Sequence, residues 1–220
     1  MSPVRRSRGP VRGNVSESKC AWIVRRYTSS MASHPGPPGT ARCRHLYLTG
    51  FMGSGKTTVG KLLAERLGRP FIDLDHHLEL RRGMTVPEIW RTHGEAMFRR
   101  WENEDFAELA LSPQPIVLAC GGGTLVDPRN LHLAYRSGTT VYLVVDFATA
   151  LQRCQHGAGR PLLAHGEGVD DDQAMRRLFH HRLPFYRMAE LQVDAGHASP
   201  ADVALRIQER LPPETRRGGP

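Results

Sequence analysis

A short apolar run, Leu46 to Thr49, leads straight into Gly50-Phe51-Met52-Gly53-Ser54-Gly55-Lys56-Thr57, a full G-x-x-x-x-G-K-[ST] string, and the chain continues as the helical stretch Thr58 to Ala64. Glycines in this pattern let the backbone fold into a concave nest of N–H donors with no Cβ in the way, while the helix that follows aims its positive end at the same point. Such a nest takes the phosphates of a nucleoside triphosphate. Gly53, Ser54, Gly55, Lys56, Thr57 and Thr58 are the candidate phosphate contacts, with Lys56 reaching the β- and γ-phosphates and the Thr57 hydroxyl offered to Mg²⁺. A strand before and a helix after speak against a glycine-rich turn that binds nothing. What receives the phosphoryl group is not contained in the string, which many unrelated activities share.

From His45 onward short apolar runs alternate with helical segments, the pattern of an α/β fold with a parallel sheet covered by helices on both faces. The strand candidates are Leu46–Thr49, Pro70–Asp73, Ile116–Cys120, Thr140–Val145 and Leu191–Val193. Helix starts are marked by Asp127-Pro128 and Ser199-Pro200, each a capping side chain before a proline, and by the capping box of Thr85-Val86-Pro87-Glu88. Residues 45–211 are expected to form one domain and 212–220 a flexible tail. Residues 1–44, rich in Arg, Ser, Pro and Gly and without helical or strand period, read as a disordered basic extension.

Charge separates these regions. The chain carries 30 Lys and Arg against 22 Asp and Glu, a formal +8, but residues 1–44 alone hold nine basic side chains and one acidic one, while residues 45–220 hold 21 of each sign. The core therefore offers no whole-domain field for a polyanion, and a nucleic-acid role is not expected of it. Three readings of the extension stand: a start assigned too early, with Met31 the true beginning; an organelle transit peptide; or a nucleic-acid-binding arm. The longest apolar runs are five residues, far short of the roughly 20 that a membrane helix needs. The four cysteines form no C-x-x-C pair, so a reducing compartment is the default, and the His76-His77 and His180-His181 doublets lack metal-ligand spacing.

The acceptor side is read from the remaining strand ends. Asp73-Leu74-Asp75 closes the second strand, and alternation along a strand puts both carboxylates on one face beside the phosphate loop. Asp73 suits the metal's shell. Asp75, further out, suits accepting a proton from an incoming hydroxyl, with a helix cap as the alternative role. Arg99, steadied by Glu102 one helical turn later, is a candidate carboxylate clamp, and Arg182 a second. Gly121, Gly122 and Gly123 allow close ligand approach at the end of the third strand. The glycine-punctuated loop Gln155 to Gly168 is a candidate lid delivering Arg160 to the transferring phosphoryl group.

Taken in order, Gly50-x-x-Gly53-x-Gly55-Lys56-Thr57, Asp73-x-Asp75, Phe98-Arg99-Arg100-x-Glu102, Gly121-Gly122-Gly123, Arg160-Pro161-Leu162-Leu163 and Arg182-x-Pro184-x-Tyr186 resemble the shikimate kinase family. The resemblance implies a three-layer phosphate-loop kinase fold with a five-stranded parallel sheet in order 2-3-1-4-5 and a mobile lid. It implies Mg²⁺ and ATP as cofactor and co-substrate, and transfer of the γ-phosphoryl group to the 3-hydroxyl of shikimate in aromatic amino-acid biosynthesis. By the same resemblance Lys56, Asp75 and Arg160 serve catalysis, Thr57 and Asp73 the metal, and Arg153 and Pro200 the two sides of adenine. Arg99, Arg182 and Gly121 to Gly123 surround shikimate together with Asp75. A cytoplasmic monomer is expected. The nearest alternative is a kinase for another polyhydroxy acid such as gluconate, against which stand two arginines suited to a ring carboxylate. A silent member would have lost Lys56, Asp75 or Arg160, and all three are present.

Overall fold

The structure, a computed structural model, describes residues 45–155 and 169–216. Five strands form one parallel sheet: β1 (His45–Thr49), β2 (Phe71–Asp73), β3 (Val117–Ala119), β4 (Gly138–Val144) and β5 (Leu191–Asp194), in the order β2-β3-β1-β4-β5. This is the order that the resemblance implies. β1 lies at the centre with all five residues buried, as expected of a strand covered on both faces.

Alternation along β1 divides the core. Leu46 and Leu48 face one layer, where they meet Val59 and Leu63 of α1 (Lys56–Leu67) and Val203 and Ile207 of a helix near the C-terminus (Pro200–Arg210). Tyr47 faces the other, against Phe106, Leu118 and Leu131. Between β2 and β3 the chain forms α2 (Leu74–Arg82) and α3 (Val86–Ala110), the latter broken at Gly94, whose φ of 78° takes the backbone out of helical geometry. A 3₁₀ turn (Thr124–Val126) and α4 (Pro128–Ser137) lead to β4, then α5 (Phe147–Gln155) and α6 (Val169–Tyr186) to β5. Phe51, Met52, Tyr142, Phe179 and Tyr186 pack into a further cluster beneath the phosphate loop.

The helix that starts at Pro200 is α7, capped by Ser199 through the Asp202 N–H, and Asp127 caps α4 through the Arg129 N–H. Thr85 and Glu88 form the full capping box. Two expectations are corrected. β2 ends at Asp73 and α2 begins at Leu74, so Asp73 and Asp75 do not share a strand face. Asp73 accepts the Asp75 and His76 N–H groups and closes the strand by capping the helix, because a carboxylate there satisfies N–H groups that a continuing strand would leave unused. Within the expected tail, Pro213–Arg216 forms a final turn, α8, held where buried Arg69 donates Nη2 to the Thr215 carbonyl. The extension 1–44, the lid segment 156–168 and residues 217–220 lie outside the described residues. Among the described residues no helix is long and apolar enough to cross a membrane.

β4 starts at Gly138, three residues before its apolar run begins at Val141, pairing with His45. A Cβ at Gly138 would lie 2.2 Å from the His45 carbonyl oxygen, a backbone atom that can retreat only by opening the β1–β4 ladder. Gly138→Ala is expected to cost about 1–3 kcal/mol in urea denaturation. A midpoint equal to that of the unsubstituted protein would show that this end of the ladder opens freely.

Candidate active site

A cavity of about 330 Å³ opens where the loops leave the carboxyl ends of β1, β2 and β3. One side is the phosphate loop. Gly50, Gly53 and Gly55 have φ values of 147°, 77° and 89°, conformations that side-chain-bearing residues avoid. Gly53 has a second reason to be glycine, since a Cβ would stand 2.4 Å from the Ala150 carbonyl oxygen. Gly55 precedes α1 and brings no side chain to cap it, which keeps the first-turn N–H groups for an anion. Lys56 folds over the loop and donates to the Gly50 and Phe51 carbonyls at 2.9 and 3.0 Å. Beside it the Thr57 hydroxyl donates to Asp73 Oδ2 at 2.7 Å.

Gly53, Gly55, Lys56, Thr57, Thr58 and Asp73 line the cavity on this side. Ser54 does not: it is 1% exposed, and its N–H donates back to the Phe51 carbonyl. Arg153 lies behind the loop, donating to the Ala195 and Gly196 carbonyls at 3.0 and 2.8 Å and reaching the Gly53 carbonyl at 3.5 Å. Pro200 opens α7 next to that segment. Neither lines the cavity. Arg160 lies outside the described residues.

The opposite side carries Asp75, Arg99, Gly121, Gly122, Gly123 and Arg182, joined by Glu102. Asp75 reaches it from the first turn of α2, solvent-accessible through the cavity mouth yet recessed among protein atoms. That recess, then Glu102 and Asp73, push its carboxyl up to about 6, against the pull of Lys56 and Arg99. Arg99 donates Nη1 to Glu102 Oε2 at 2.7 Å, and its contacts to Glu95 are longer, at 3.4 Å. Burial alone would lower the guanidinium's pKa, but Glu102 and Glu95 raise it, so Arg99 stays charged. Arg182 is 8% exposed and packs against the strand-end glycines, with Nη1 3.0 Å from where a Gly122 Cβ would be.

Several lining or supporting residues carry no role in the sequence reading. Val86, Pro87, Trp90 and Phe98 give this side of the cavity an apolar wall, marked in the sequence by the i, i+4 spacing of Val86 and Trp90 on one helix face. Tyr186, one turn after Arg182, donates its hydroxyl to the Gly122 carbonyl at 2.6 Å. Burial pushes its phenol up to about 12, which keeps the donor proton in place. Thr124 donates to Glu102 Oε1 at 2.6 Å, and nothing in the sequence beyond its place after the glycines points to it.

A family model described as shikimate kinase matches residues 52–212. The shikimate kinase of Dechloromonas aromatica (strain RCB) is 42% identical over 156 residues, spanning 70% of this chain and 82% of its own. That of Thiobacillus denitrificans (strain ATCC 25259 / T1) is 40% identical over 168 residues, spanning 76% and 90%. Among solved structures, the shikimate kinase from Acinetobacter baumannii in complex with shikimate has a TM-score of 0.70 at 37% identity, covering 76% of this chain and 91% of that one. A match that runs from the phosphate loop through α7, shared with relatives over most of their own length, means that the chain belongs to the shikimate kinase family.

Proposed function

We propose that this chain transfers the γ-phosphoryl group of ATP to the 3-hydroxyl of shikimate. One observation carries the reading: a phosphate loop, the Asp75 carboxylate and two guanidiniums line the same cavity of about 330 Å³. Shikimate is a small anion with several hydroxyls, so Arg99 and Arg182 answer its carboxylate and Asp75 the reacting hydroxyl. The acceptor oxygen bonds to the γ-phosphorus, the bond from that phosphorus to the β,γ-bridging oxygen breaks, and ADP leaves with the electron pair. Asp75 takes the hydroxyl proton. Lys56 and the N–H groups of the loop offset charge on the phosphates as it shifts toward the leaving oxygen.

Thr57 and Asp73 fit Mg²⁺, since a hydroxyl and a carboxylate oxygen 2.7 Å apart beside the phosphate loop are the hard donors this ion takes. When bound, the ion would supply positive charge to the phosphate oxygens. A reducing, cytoplasmic setting goes with this reading, because Cys120 and Cys154 are buried and form no disulfide among the described residues.

A coupled ADP-release assay with Mg·ATP against shikimate, gluconate and quinate is expected to show turnover with shikimate far above the other two. Turnover on gluconate alone would refute the reading. Asp75→Asn is expected to lower kcat by roughly 10²- to 10⁴-fold with the ATP dissociation constant nearly unchanged by calorimetry. Full activity in that variant would remove Asp75 from the mechanism.

The titration of Asp75 gives a pH test. Its value rises from 3.8 to about 6 on folding, so the folded chain holds the proton more tightly than the unfolded one. The group's contribution to stability is complete below 3.8 and is lost as pH rises through about 6. Asp75→Asn should therefore resist urea better than the unsubstituted protein at about pH 8 and show no such advantage at about pH 4. An equal difference at both values would contradict the raised titration. Arg99→Ala is expected to raise the shikimate KM by about tenfold or more while leaving the ATP KM within about twofold. An unchanged shikimate KM would count against the clamp.

A further inference from the structure

Glu102 is a carboxylate withdrawn from water, 1% exposed, and both of its oxygens are engaged. Oε2 accepts Arg99 Nη1 at 2.7 Å and Oε1 accepts the Thr124 hydroxyl at 2.6 Å. Thr124 is fully buried and its backbone is tied at both ends. Its N–H donates to the Gly121 carbonyl at 3.1 Å, and its carbonyl accepts Asn130 Nδ2 at 3.0 Å. Asn130 in turn donates to Asn103 Oδ1 at 2.7 Å, which anchors the turn to α3. The slot that holds the hydroxyl–carboxylate bond exists because residue 121 is glycine. A Cβ there would lie 2.5 Å from Glu102 Oε1 and 3.0 Å from Thr124 Oγ1.

We propose that Thr124 is a positioning residue for the acceptor: its hydroxyl holds Glu102, and Glu102 holds the Arg99 guanidinium facing the cavity to receive the acceptor's carboxylate. The proposal rests on the reading of Arg99 as the acceptor clamp. Thr124 itself does not line the cavity. Without its hydroxyl, Glu102 has a buried oxygen with no donor, and regains one only by turning away from Arg99 or by admitting water. Either change loosens the guanidinium on its Glu102 side, leaving only the longer Glu95 contacts, which acts on acceptor affinity and leaves the phosphate loop untouched.

Thr124→Val keeps the shape and removes the donor, while Thr124→Ser restores it. The expected result is a shikimate KM raised roughly tenfold in Thr124→Val, an ATP KM within about twofold, and return of the shikimate KM to within about threefold in Thr124→Ser. Arg99→Ala is measured alongside. If Arg99→Ala raises the shikimate KM and Thr124→Val does not, the proposal is overturned while the clamp stands. If neither raises it, the clamp reading falls and takes the proposal with it. A Thr124→Val protein with lower thermal stability and fewer active molecules, but unchanged KM for both substrates, marks the hydroxyl as structural only and also overturns the proposal. If the valine variant does not fold, Thr124→Ala compared with Thr124→Ser makes the same test without added bulk.

Discussion

A sheet whose strands are all parallel and covered on both faces leaves polar chemistry very little room. Leu46, Tyr47 and Leu48 are completely buried at the centre of this one, so no ligand reaches the faces of the central strand. What remains open is the edge where strands end, and parallel strands end together. β1 releases the phosphate loop there, β2 releases Asp73 and then Asp75, and β3 releases three glycines. Groups distant in sequence become neighbours through strand direction alone, and helices α3 and α6 need only lean over that edge to add Arg99 and Arg182.

The same crowding sets the electrostatics. Asp73, Asp75 and Glu102 share a small recess with Lys56, Arg99 and Arg182. Opposite charges near one another do not cancel uniformly, because each group meets its own set of hydrogen bonds and its own depth of burial. Glu102 has a donor for each oxygen, and Arg99 is held in its charged form by Glu102 and Glu95. Asp73 accepts from Thr57 and from the start of α2. Asp75 receives the remaining strain: its carboxylate is recessed with two other carboxylates near it, and its pKa moves up. A group held near its titration point is the one able to accept a proton from an incoming hydroxyl, so the reactivity assigned to Asp75 follows from how well its neighbours are satisfied.

Much of this was legible in the sequence because it rests on local rules. The phosphate loop, the caps at Thr85, Asp127 and Ser199 and all five strands follow from residue types at short spacing. The strand order did not, and came from the family resemblance. Pairing Asp73 with Asp75 by strand alternation failed because the first aspartate ends the strand: its affinity for free N–H groups outweighs the strand periodicity. The turn at Pro213–Arg216 was hidden because its partner, Arg69, is far away in sequence. Thr124 was hidden for the same reason, since its partner Glu102 lies on another element 22 residues earlier and no periodicity links them.

The three consecutive glycines show how far such long-range fitting reaches. None of Gly121, Gly122 and Gly123 has a positive φ, so a backbone argument for glycine fails at all three. Space decides instead, and differently at each. A Cβ at Gly121 would strike Glu102, one at Gly122 would press on Arg182, and one at Gly123 would lie 2.7 Å from Arg99 Nη1. Side chains from α3 and α6 thus converge on one bare stretch of backbone, and its carbonyl at Gly122 is fixed by Tyr186, the last residue of α6. A flexible arginine can retreat from a methyl group, but a retreat here moves a guanidinium that lines the cavity. The glycines therefore matter less for what they allow the backbone to do than for where they let two arginines stand.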